Sequence, residues 1–61
     1  SASQIISLIV MNEAKVLLNS SNKPVSEISG ILGFSDPYSF SHFFKKHLGE
    51  SPSQYRNQFE N

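Results

Sequence analysis

The stretch from Pro24 to Gly49, PVSEISGILGFSDPYSFSHFFKKHLG, decides the fold. In its first part Val25, Ile28 and Leu32 recur at i, i+3 and i+7. Pro24 to Leu32 therefore reads as a short helix with proline in its first turn. Gly33 stands where a chain leaves a helix in the left-handed conformation. Gly30 inside this helix is unfavourable by about 1 kcal/mol relative to alanine, and close packing against another backbone is a reason to tolerate it. Further on, Asp36 suits an N-cap, Pro37 the first helical position and Gly49 a stop. Asp36 to Leu48 thus reads as a longer helix. Two helices joined by Gly33-Phe34-Ser35 form a helix-turn-helix pattern, in which a short turn commonly contains glycine.

The longer helix has two distinct faces. At roughly 100° per residue, Phe40, Phe43, Phe44 and Leu48 share one arc, with His47 among them. Tyr38, Ser41, His42 and Lys45 share the opposite arc, with Lys46 beside it. The inside is aromatic and the outside polar. The outer N-terminal residues are sized for base edges, and the outer C-terminal ones are cationic, as phosphate contacts require. In helix-turn-helix proteins the second helix of the pair enters the major groove. The competing reading of the outer arc is an ordinary solvated surface.

Outward from this core, Ser3 to Ser20 reads as a further helix, capped by Ser3 or Ser1 and broken by Ser20-Ser21-Asn22. Ile6, Ile9, Val10, Ala14, Leu17 and Leu18 form its expected inner face. Leu8 and Val16 fall off that stripe, which points to a missing neighbour. A fourth helix starts at Ser51-Pro52 and runs toward the C-terminus. No sustained period-two alternation signals a strand. The expected fold is all-α: a small homeodomain-like bundle of about four helices containing a helix-turn-helix. Ser1-Ala2-Ser3-Gln4 also echoes Ser51-Pro52-Ser53-Gln54, each before an apolar residue. A chain running from the end of one repeat through the whole of the next would produce that echo.

Composition narrows the function. With 61 residues the chain is one small domain at most, burying only about 60% of the surface that its unfolded form exposes. It has no cysteine, which fits a reducing compartment. No apolar run reaches the roughly 18 residues of a membrane span, and no basic segment precedes an apolar one as in a signal peptide. Five basic and five acidic residues give zero formal net charge, which is unusual for a nucleic-acid binder. The distribution matters more: Lys45, Lys46 and Arg56 lie in the C-terminal half, near His42 and His47.

Other chemistries find little support. Phe34, Phe40, Phe43 and Phe44 could stack single-stranded bases, but their spacing turns them inward. His42 and His47 lie on different faces, with no carboxylate or thiol at ligand spacing, so no metal site is expected. His42 with Asp36 and a serine imitates a triad in composition only, and geometry defines such a site. No catalytic residue and no cofactor is expected.

Glu27-Ile28, Leu32-Gly33-Phe34, Phe40-Ser41, Phe44-Lys45-Lys46, Gly49, and Ser51-Pro52 through Tyr55-Arg56 together resemble the signature of the AraC/XylS family of bacterial transcription regulators. Glu13-Ala14-Lys15 with Leu17-Leu18 looks like that family's linker helix, so the resemblance spans nearly the whole chain. It implies a DNA-binding region of two helix-turn-helix subdomains joined by a long helix, each inserting one helix into successive major-groove segments. Residues 1–22 would be the linker helix with the tail of a preceding subdomain, and residues 23–61 the second subdomain. It implies a cytoplasmic protein, and no membrane partner is expected. Two positions depart from the pattern. That of His42 commonly holds arginine, and that of Ser29 is usually alanine packed between the two helices. The Ser29 hydroxyl is expected to bond a backbone carbonyl one turn back.

On this reading the partner is double-stranded DNA. Pro37, Tyr38, Ser41 and His42 would read bases, while Ser26, Ser39, Lys45, Lys46 and the N-terminus of the Val25 helix would hold phosphates, with Arg56 a further phosphate candidate. The preceding subdomain of the same parent chain, and RNA polymerase, are further expected partners. The alternative is a helical protein-interaction module that contacts polymerase or another regulator through Leu8, Val10 and Val16.

Overall fold

Four helices follow one another in the computed structural model, which describes residues 2–58. They are α1 (Ala2–Ser20), α2 (Val25–Ile31), α3 (Pro37–Leu48) and α4 (Pro52–Asn57), with no strand among the described residues. None of them is long and apolar enough to cross a membrane. The expected all-α bundle with a helix-turn-helix is what forms.

Each break follows from local chemistry. At the end of α1 the Ser20 and Ser21 hydroxyls donate back to the Val16 and Leu17 carbonyls at 2.6 and 2.7 Å, satisfying groups that a helix end leaves without partners. α2 is one residue shorter at each end than its periodicity suggests, because Pro24 takes the extended cap position and Leu32 the C-cap. Gly33 then turns left-handed with φ +92°. Its N–H bonds the Gly30 carbonyl at 3.1 Å and that of Phe34 the Ser29 carbonyl at 3.0 Å, the paired bonds of a Schellman motif. α3 starts on Asp36, whose carboxylate accepts the Ser39 N–H at 2.7 Å, and ends on left-handed Gly49. α4 opens with a reciprocal capping box between Ser51 and Gln54.

The core lies where α1, α2 and α3 meet, with α4 closing one side. Met11, Ala14, Leu18, Ile28, Phe40 and Phe44 are buried, and Phe34, Phe43, Leu48 and Tyr55 pack around them. The aromatic rings interlock: Phe34 lies 5.4 Å from Phe40 and Phe44 lies 5.5 Å from Tyr55 between centroids, with tilted planes. The Ser29 hydroxyl donates to the Ser26 carbonyl at 2.8 Å, as expected, so this buried serine leaves no polar atom unsatisfied.

Three expectations are corrected. The stripe of α1 that packs is Met11, Ala14 and Leu18, whereas Ile6 and Ile9 remain 60% and 58% exposed. The apolar residues of α1 wrap more than one face, and the face that packs is the one turned to α2, α3 and α4. Gly30 is not pressed by another backbone, since an added Cβ would meet nothing within 4 Å. Ser3 lies within α1 rather than capping it, and Ser1, the other cap candidate, lies outside the described residues, as does the 59–61 tail of the second expected subdomain.

Candidate nucleic-acid interface

The outer face of α3 is presented by its two ends. The Asp36 cap fixes where the helix begins, and the buried Phe40 and Phe44 fix its rotation against the core. The opposite arc is thereby forced outward. Pro37, Tyr38, His42, Lys45 and Lys46 are exposed, and Ser41 is half-buried between them. The Tyr38 ring, 72% exposed, meets His42 edge-on at 4.5 Å between centroids. Lys45 and Lys46 sit in the last turn, where cations complement the helix dipole. The ion pair formed among the described residues is Lys23 with Glu27 at 2.9 Å, so neither α3 lysine is tied to a carboxylate there.

Asp36 is the acidic group nearest this face in sequence. The Ser39 N–H beside it is the main cause that holds its carboxyl below the ordinary aspartate range, and bonds from the Ser39 and Ser35 side chains act in the same sense. Its charge serves the helix N-terminus. Among the described residues no group of three or more His, Asp or Glu gathers as a metal site would require.

The fold brings most of the expected contact residues together, with two exceptions. Ser26 is exposed in the first turn of α2, beside Glu27, whose carboxylate pairs with Lys23. Arg56 is given another task. Its guanidinium donates to the Leu18, Lys23 and Ser21 carbonyls at 3.1, 2.6 and 3.3 Å. It clasps the end of α1 and the following turn to α4, so its guanidinium is engaged inside the fold. Those partners lie 33 to 38 residues away in sequence, so no local pattern could have announced them. The Tyr38–His42 contact was also missed, although its i, i+4 spacing is a legible signal.

A second surface feature lies on α1. Ile5, Ile6, Leu8 and Ile9 are each more than half exposed. Grooves flank this segment: one of about 510 Å³ toward His47 and Leu48, another of about 240 Å³ toward Leu32, Phe34 and Phe43.

The chain is similar to known proteins over nearly its whole length. Residues 1–58 match a protein family described as a helix-turn-helix domain. Over 51 residues the chain is 39% identical to the Msm operon regulatory protein of Streptococcus mutans, covering 84% of this chain and 18% of that protein. The C-terminal domain of AraT, a response regulator from Geobacillus stearothermophilus, is similar in structure with a TM-score of 0.89 and 38% identity, over 95% of this chain and 48% of that one. The DNA-binding domain of AdpA, solved in complex with a target DNA, gives a TM-score of 0.83 and 30% identity, over 97% of this chain and 52% of that one. The chain thus spans 17–20% of the length of the first curated relatives and about half of these solved domains.

Proposed function

Because the chain belongs to the AraC/XylS family of helix-turn-helix regulators, we propose that it binds duplex DNA sequence-specifically as one half of the DNA-binding region of a transcription regulator acting in the cytoplasm. The observation that carries this reading is the outer face of α3: exposed, free of carboxylates, tipped by two lysines, and held rigid by the aromatic core behind it. Pro37, Tyr38, Ser41 and His42 read base edges in the major groove, and Lys45 and Lys46, with the Ser26 and Ser39 hydroxyls, hold the phosphate backbone. Residues 1–22 serve as the helix that links to a preceding subdomain, and residues 23–61 as the second subdomain. The exposed apolar segment of α1 supports that division, because a packed neighbour would remove it from water.

A neutral chain with one reading helix has little general attraction for phosphate. Alone it binds near the non-specific range, roughly 10⁻⁴–10⁻⁶ M. Linked to a second reading unit it gains roughly 10²–10⁴-fold in avidity. Titrating the chain and its two-subdomain parent against one operator at several salt concentrations tests this. Lys45→Ala and Lys46→Ala each lower the salt slope by about 1 without changing base preference. Affinity independent of salt would overturn the reading. Nanomolar selective binding by the chain alone would overturn its half-module part.

A second reading rests on apolar residues spread along α1: Leu8 and Val16 are 67% and 56% exposed, and with the half-buried Val10 they offer a surface to RNA polymerase or another regulator. It is favoured if the two-subdomain parent leaves these residues exposed.

A further inference from the structure

Two ring pairs on α3 have the same i, i+4 spacing and the same 4.5 Å centroid separation, yet only one of them has a ring packed against the core. In the first, Phe43 packs against the core and the exposed His47 ring lies against it. Tyr38 with His42, crossed at 66°, lies on the outer face, and neither ring is part of the packed cluster. An exposed long side chain has rotamer freedom to lose when a partner orders it. A ring held by its neighbour one turn on has already lost part of that freedom, so the pair is presented as one object.

We infer that Tyr38 and His42 read a single base together, as a composite donor pair for the major-groove edge of guanine. The inference rests on the DNA-binding reading above and deepens it. A phenol supplies one O–H and a neutral imidazole one N–H. Guanine offers two adjacent acceptors, N7 and O6, where adenine offers one acceptor and one donor, and cytosine a donor. The surroundings favour the acceptor-rich edge. α3 contains no acidic residue, Asp36 is turned back on Ser35 and Ser39, and Lys45 and Lys46 add positive potential one turn on. Arginine would deliver both donors from one side chain, and here two side chains divide the task. Tyr38 is in addition a positioning residue, because its ring limits where the imidazole points.

The test uses the full-length protein carrying this chain, selected against a library of random duplexes, followed by affinity measurements on single-base variants of the enriched site. The wild type is expected to enrich guanine at a position that both residues control. Tyr38→Ala and His42→Ala each lower the preference there by roughly tenfold, and the double substitution lowers it little further. Tyr38→Phe, which keeps the ring contact and removes the hydroxyl, also loses guanine discrimination. Tyr38→Ala combined with His42→Arg regains it. Both positions are exposed, and unchanged thermal melts of the variants confirm that the fold is retained. If the single substitutions relax different positions, or their effects add, the residues read independently and the inference is overturned while DNA binding stands. If the shared position enriches a base other than guanine, the inference is likewise overturned. Enrichment of no sequence by the wild type overturns the DNA-binding reading itself, and this inference with it.

Discussion

The two halves of α1 have similar apolar content and opposite fates. From Met11 to Leu18 the helix buries Met11, Ala14 and Leu18 against Ile28, Phe40 and Phe44. From Ile5 to Ile9 it leaves Ile5, Ile6, Leu8 and Ile9 at 58–67% exposure. The buried half is the one that carries Asn12, Glu13 and Lys15, whereas the exposed half has no charged residue, so apolar content does not separate their fates. The second half has α2 and α4 opposite it, with Arg56 and an Asn19–Tyr55 hydrogen bond of 3.0 Å fastening its end. The first half has only open grooves beside it. Apolar patterning therefore marks which surface wants a neighbour, and the presence of the neighbour decides which surface obtains one.

The sharpest way to break this contrast is to remove the wall opposite the closed half. Phe44→Ala deletes a fully buried ring that touches both Phe40 and Tyr55. It should cost roughly 3–5 kcal/mol, enough to leave so small a domain largely unfolded at room temperature. A thermal melt close to that of the parent chain would show that the inner face is misassigned.

A matched pair within α1 measures the contrast directly. Leu18→Ala should cost about 2–5 kcal/mol in this chain, while Ile9→Ala stays within about 0.5 kcal/mol. In a longer parent whose preceding residues cover α1, Ile9→Ala should become costly as well. Denaturant midpoints for both variants in both chains give the answer. An unchanged Ile9 effect in the parent would leave that face available to another protein.

The fastening of the closed half comes next in size. Arg56→Ala removes three charge-assisted bonds to carbonyls and should lower stability by about 1–3 kcal/mol. Arg56→Lys should restore little, since a single ammonium cannot span the fork that reaches Leu18, Ser21 and Lys23. Salt dependence of DNA binding, measured alongside, should not change in either variant. A slope reduced by about 1 would return Arg56 to the phosphate contacts.

The smallest effect lies at the start of α3, away from both halves of α1. Asp36 has its folded-state pKa lowered, chiefly by the Ser39 N–H. Its stabilising contribution is therefore complete above the ordinary aspartate value of about 3.9 and is lost as pH falls through the lower folded-state value. Asp36→Asn keeps a good cap without the charge. Melts of the two proteins compared from neutral pH downward should show the wild type losing its advantage only in that acid window. A constant difference down to the lowest pH would show that the carboxylate charge adds nothing to the cap.

Much of the interface was legible because its determinants are local. Asp36-Pro37, Gly33, Gly49 and the Ser51–Gln54 box set the helix ends by bonds within five residues of sequence. The spacing of Phe40 and Phe44 turned Tyr38, His42, Lys45 and Lys46 outward. The internal bonds of Arg56 were not legible because a basic side chain near a basic helix looks the same whether it faces solvent or carbonyls far away in sequence. Gly30 was misread because a helical glycine gives no local sign of what stands opposite it.

The sequence by itself determined the four helices, the turn between α2 and α3 and the aromatic and polar faces of α3, because capping bonds and helical periodicity act over one or two turns of chain. Only the tertiary structure decided that Met11 rather than Ile6 and Ile9 enters the core, that Arg56 clasps α1, and that half of α1 stays uncovered. Burial and long-range hydrogen bonds depend on which surfaces meet, and that is a property of the assembled helices rather than of any one of them.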